Sequence, residues 1–176
     1  MAIPQTVRIV RAEHLGMCFG VRDAIALAFE HAADAPLTIL GDLVHNPDVL
    51  ESLEARGVAV AKDPAHVTTA TLMVTAHGTS ERVLARTRAM GLRVVEATCP
   101  LVRVAHRAIA ALVRDGYHPV IIGQRDHVEV RGLTGDLDRF DVVLDDRDVL
   151  ALDEHARIGV AAQTTQPLQK IGRAHV

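Results

Sequence analysis

Two cysteines, three loop histidines, one glutamate and one threonine carry the reactive chemistry of this chain. Cys18 and Cys99 lie 81 positions apart. A disulfide is not expected in a reducing compartment, so spacing alone leaves two buried thiols or two halves of a metal site. Each cysteine stands where a strand gives way to a helix. Thiols in such positions, with backbone N–H groups close to sulfur, suit iron–sulfur ligation. Histidine is a common metal ligand and proton carrier. His45, His77 and His127 all fall in turns, with glycines close by in the sequence, that suit an anionic, oxygen-rich ligand such as a diphosphate. Glu129, two residues after His127, is placed to relay protons.

The elements that must hold these groups alternate. Apolar strands are expected at 7–10, 37–40, 58–60, 72–75, 93–96, 118–122, 141–144 and 158–162. Helices are expected at 21–31, at 48–56 with Gly57 closing it, from Ser80 to Met90 with Gly91 ending it, and at 101–114 before Gly116. The acidic stretch between the last two strands has room for a short helix. This rhythm predicts an α/β fold of parallel sheets with helices on both faces. It divides into two similar lobes, residues 8–97 and 98–170, with no flexible linker at Cys99-Pro100. In such sheets ligands bind beyond the carboxyl ends of the strands. Six successive strand ends offer chemistry: Cys18 and Gly20; Asp42, His45 and Asn46; His77 and Gly78; Thr98 and Cys99; Gly123, His127 and Glu129; Gln163, Thr164 and Thr165.

Composition narrows the class. Formal charge is −3, which argues against a nucleic-acid binder driven by bulk charge. No apolar run is long enough to span a bilayer and residues 1–10 lack a signal peptide's apolar core, so a soluble, cytoplasmic protein is expected. With three Phe, one Tyr and no Trp, the core must be Val, Leu, Ile and Ala. No Gly-x-Gly-x-x-Gly or Walker loop is present, which counts against a nucleotide-binding module. The remaining histidines, 14, 31, 66, 106, 118, 155 and 175, belong to no motif and are read as surface or packing residues.

The motifs, in order, resemble those of 4-hydroxy-3-methylbut-2-enyl diphosphate reductase. They are Gly16-Met17-Cys18-Phe19-Gly20-Val21-Arg22-Asp23-Ala24-Ile25, Leu43-Val44-His45-Asn46-Pro47, Ala76-His77-Gly78, Ala97-Thr98-Cys99-Pro100-Leu101-Val102, Gly123-Gln124-Arg125-Asp126-His127-Val128-Glu129-Val130 and Gln163-Thr164-Thr165. The resemblance runs from about residue 8 to 170. It departs at Gln124, Val128 and the Arg22-Asp23 pair, none of which carries an implied role. The resemblance implies a three-lobed, pseudo-symmetric α/β fold around a [4Fe–4S] cluster held by three cysteines, with one iron left free for substrate. It implies removal of a hydroxyl from an allylic diphosphate with two electrons and two protons. The products would be isopentenyl and dimethylallyl diphosphates, and the electrons would come from a donor such as ferredoxin or flavodoxin. Cys18 and Cys99 would be cluster ligands. His45, His77 and His127 would face the diphosphate and hydroxyl, Glu129 would supply the proton, and Thr164 would orient it and touch the substrate hydroxyl.

The resemblance also implies a third lobe, with a third cysteine, that these residues do not include. Residues 171–176 translate the adapter sequence ATCGGAAGAGCACACGTC, so a non-native tail is expected there, and reduced activity with it. The competing reading is a non-enzymatic two-lobed protein that completes its cluster site with another chain.

Overall fold

The computed structural model describes residues 10, 16–44, 46–152, 155–167 and 169. Two parallel sheets organise them. The first orders its strands β2-β1-β3-β4, with β1 at Leu37–Leu40, β2 at Ala59–Ala61, β3 at Thr71–Val74 and β4 at Arg93–Glu96. The second orders them β6-β5-β7, with β5 at His118–Ile122, β6 at Asp141–Val143 and β7 at Ile158–Ala162. Parallel pairing places all carboxyl ends of a sheet along one edge, where the loops to the helices gather.

The α-helices among the described residues are α1 Phe19–Asp34, α2 Pro47–Glu54, α3 Glu81–Ala89, α4 Pro100–Arg114, α5 Val128–Thr134 and α6 Asp146–Leu150. Local chemistry sets their ends. The Asn46 side chain accepts from Val49 N, and Ser80 Oγ accepts from Val83 N, each satisfying an orphan donor of a first turn. Gly57 and Gly91 take φ of 77° and 78° just past α2 and α3, a conformation that penalises any Cβ.

Sheet periodicity sorts the core. Leu37, Ile39 and Met73 face Ala24 and Ala28 of α1 and Leu53 of α2. In the second sheet Ile121 and Val142 pack on Ile109 of α4 and on Val130 and Leu133 of α5. Val120, Ile122 and Val143 occupy the opposite face with Leu152. The buried apolar set is aliphatic, as the scarcity of aromatics required. Among the described residues no helix is long and apolar enough to cross a membrane.

The strands and helices expected from the sequence appear within one to three residues of their expected ends. The strand at 7–10 lies outside the described residues apart from Val10, which is exposed. Helix α5 was not foreseen, because its seven residues, VEVRGLT, show no clear apolar period.

Candidate functional site

Cys18 and Cys99 occupy equivalent places. Each is the residue that caps a helix, α1 and α4 respectively, and neither uses its side chain for the cap. Two sulfurs are thus left beside the positive ends of helices of 16 and 15 residues, which favour negative charge. Cys18 is exposed and Cys99 half-buried, so the reading of two inert buried thiols fails. The hydrogen bond from Cys99 N to Ala76 O, 3.0 Å, fixes Cys99 beside the end of β3. Gly20 brings the start of α1 against it. A Cβ on Gly20 would stand 2.8 Å from Cys99 Sγ, so only glycine lets the two cysteine-bearing helix starts approach this closely.

His77 follows β3 and His127 caps α5, and their rings meet edge to face with centroids 5.5 Å apart. His127 Nδ1 accepts from Glu129 N at 3.2 Å. An accepting Nδ1 carries no proton, so the neutral ring holds its proton on Nε2 and offers a donor there. His45 lies outside the described residues. Its neighbours are Val44, buried, and Asn46, the cap of α2.

Glu129 is 1 % exposed, which excludes a plain surface carboxylate. Burial of a carboxylate is costly unless its oxygens are bonded. Here Oε1 accepts from Thr164 N at 2.7 Å and Oε2 from Thr164 Oγ1 at 2.9 Å. The same threonine therefore holds both oxygens, from the loop after β7.

Gln163, to which no role was attached from the sequence, ties those loops together. It is 3 % exposed; its Oε1 accepts from Gln124 N at 3.1 Å and its Nε2 donates to Thr165 Oγ1 at 2.7 Å. The signal that pointed to it was its place in the last strand-end motif. His106 was also missed. Among the described residues its Nε2 is buried without a partner, close to where a Cβ on Gly78 would lie. Burial pushes its pKa below the usual imidazole value, against the opposing pull of Asp136, Glu81 and Glu129.

The two sheets are joined at close quarters. A Cβ on Gly132 would lie 3.4 Å from Gly78 O, and one on Gly135 would lie 2.8 Å from Ser80 Cβ. Just beyond α5, Asp136 accepts from Glu81 N and Arg82 N at 2.7 and 2.8 Å and so anchors the start of α3. A neighbouring cleft of about 1190 Å³ is lined by three of the strand-end residues, Asp42, Gly78 and His127. Its Arg82 and Arg86 already pair with Asp138 and Asp63.

The described geometry defines a parallel α/β protein with polar candidate residues beyond strand carboxyl ends and cysteines capping α1 and α4. Residues 9–175 match the family described as LytB protein, and the chain belongs to that family. It is 38 % identical over 168 residues to 4-hydroxy-3-methylbut-2-enyl diphosphate reductase of Geobacter sp. (strain M21), covering 94 % of this chain and 59 % of the relative. The reductase of Aquifex aeolicus is 36 % identical over 166 residues, with 91 % and 57 % covered. A solved structure of the E-1-hydroxy-2-methyl-but-2-enyl-4-diphosphate reductase from Plasmodium falciparum superposes with a TM-score of 0.83 at 27 % identity, covering 90 % of this chain and 52 % of that one. A second, of the (E)-4-hydroxy-3-methyl-but-2-enyl diphosphate reductase described as the terminal enzyme of the non-mevalonate pathway, gives 0.80 at 34 % identity, covering 94 % and 61 %. The chain thus spans about three-fifths of the curated relatives' length.

Proposed function

We propose that this chain carries the proton-donating and cluster-holding part of a reductase that removes the hydroxyl of 4-hydroxy-3-methylbut-2-enyl diphosphate. The observation that carries this reading is the buried Glu129 held at both oxygens by Thr164. Thr164 N can only donate, so Oε1 must remain an acceptor and a proton on this carboxyl belongs on Oε2. Thr164 Oγ1 can donate to a carboxylate or accept from an acid. The pair therefore keeps its hydrogen bond whether Glu129 holds the proton or has given it up. Protonating the hydroxyl turns a poor leaving group into water.

Cys18 and Cys99 would hold an iron–sulfur cluster. Neither sulfur makes a cap hydrogen bond, and that and the Gly20 contact fit the role. When bound, such a cluster supplies electrons and a Lewis-acidic iron for the hydroxyl oxygen. His77, His127 and His45 would bind the diphosphate, with His127 donating from Nε2. The electrons would come from a small carrier such as ferredoxin or flavodoxin.

The 176 residues contain two cysteines, one fewer than three thiolate ligands require. By itself this chain should hold a cluster poorly and turn over slowly or not at all. A chimera joining residues 1–170 to the C-terminal portion of the Geobacter relative, reconstituted anaerobically, should dehydroxylate the diphosphate with a one-electron reductant. Glu129→Gln should lower that rate by about 100-fold or more. A chimera that loads iron and sulfide fully yet stays inert would overturn the reading.

A further inference from the structure

At the opposite edge of the second sheet, three ligand-type side chains converge. His118 begins β5, Asp141 begins β6, and His155 lies three residues before β7. The strand register explains the first two. Asp141 pairs with Val120, and Val120 points to the same side as His118, two residues earlier. His155 reaches the same face from the connection into β7. Its ring stacks on that of His118, centroids 3.6 Å apart.

We propose that His118, Asp141 and His155 bind a divalent transition metal of the zinc class. One ligand atom from each lies within 4.8 Å of the others. His118 Nε2 is 2.7 Å and His155 Nε2 3.8 Å from Asp141 Oδ2. Zinc bonds of about 2.0–2.1 Å in a tetrahedron put neighbouring ligand atoms roughly 3.3 Å apart, between those two separations. Binding therefore asks His118 to open its hydrogen bond by about half an ångström and His155 to turn out of the stack. Side-chain exposures of 15 %, 37 % and 28 % for His118, Asp141 and His155 leave the rotation free and a fourth position open to water.

The electrostatics agree. Among the described residues, the ion-pair partners of Asp141 are these two imidazoles. The nearby guanidinium of Arg157 is turned elsewhere, over the Tyr117 ring at 4.0 Å and onto Asp115 O at 2.9 Å. Two neutral imidazoles and one carboxylate form a donor set suited to Zn²⁺, and to Co²⁺ as its spectroscopic stand-in. Bound metal would clamp the amino-terminal edge of β6, β5 and β7, at the opposite end of β5 from the loop that leads to Glu129.

The test uses the full chain carrying Cys18→Ser and Cys99→Ser, so that thiols cannot compete. After chelator treatment, Zn²⁺ is titrated by equilibrium dialysis and Co²⁺ by visible absorbance. One equivalent of each should bind, Co²⁺ giving four-coordinate d–d bands without thiolate charge transfer. His155→Ala, on a connecting segment, and the near-isosteric Asp141→Asn should each weaken Zn²⁺ by at least about tenfold while the circular dichroism stays unchanged. Binding weaker than about 0.1 mM would overturn the proposal and leave the trio as a hydrogen-bonded cluster. Unchanged affinity in both variants would overturn it equally.

Discussion

The rings of His77 and His127 stand edge to face, 88° between planes and 5.5 Å between centroids, although one follows a strand of the first sheet and the other starts a helix of the second. Their meeting depends on how closely α5 lies on the turn after β3. Gly135, where a Cβ would stand 2.8 Å from Ser80 Cβ, makes that approach possible.

Gly135→Ala should therefore destabilise the protein. Gly135 has φ of −65°, so helix propensity alone would favour alanine by roughly 0.5–1 kcal/mol. The new Cβ, however, would lie 2.8 Å from Ser80 Cβ and 2.9 Å from Ser80 Oγ. Ser80 is the buried cap of α3 and cannot step aside without losing Val83 N. Overpacking of this kind costs about 1–3 kcal/mol, so sterics wins. Urea denaturation should show a lower midpoint for the variant; a higher midpoint would mean the lobes are not in this contact.

Thr164→Val removes the hydroxyl that serves Glu129 Oε2 and leaves the bond from Thr164 N in place. One oxygen of a buried carboxylate is then without its partner, which costs about 1–3 kcal/mol. Thr164→Ser keeps the hydroxyl and should recover most of that loss. Denaturation of the pair measures the difference, and equal stability of the two variants would remove Thr164 Oγ1 from the account.

His127 serves two ends at once, capping α5 through Nδ1 and presenting Nε2. Asparagine is a strong cap but has no second ring nitrogen. His127→Asn should thus hold stability within about 0.5 kcal/mol while dehydroxylation by the reconstituted chimera falls by about tenfold or more. His127→Ala should lose both, with about 1 kcal/mol of stability from the missing cap. Full activity in His127→Asn would show that the ring serves only the helix.

Much of this arrangement was legible in the sequence, because short apolar runs mark the strands of a parallel sheet and the polar residues of interest follow them. Cys99, His77, Glu129 and Thr164 were all singled out that way. What could not be read was depth and cross-lobe contact. Nothing in the order Glu129-Val130-Arg131 says that the carboxylate is sealed while Arg131 is exposed. Nothing local links Gly135 to Ser80, or His118 to His155, since those contacts arise only when elements far apart in sequence pack or pair. Helix α5 escaped notice for the same reason, its burial being set by the lobe it packs on rather than by its own period.

The last of those hidden residues, His106, gives a pH dependence. Among the described residues its ring nitrogen Nε2 is buried without a partner, and burial holds its folded-state pKa below the ordinary value near 6.5. Asp136, Glu81 and Glu129 pull the other way without cancelling the effect. Between the depressed folded pKa and about 6.5 the unfolded chain binds more protons than the folded one, so unfolding free energy rises with pH across that window. Stability is therefore full above about pH 6.5 and falls as pH drops towards the folded pKa. His106→Gln has no proton to gain. Urea midpoints at about pH 7.5 and 5.5 should fall further for the natural chain than for His106→Gln, the difference between the two drops isolating this histidine from the others. Equal drops would mean that the His106 ring is as free to take up a proton in the folded protein as in the unfolded one.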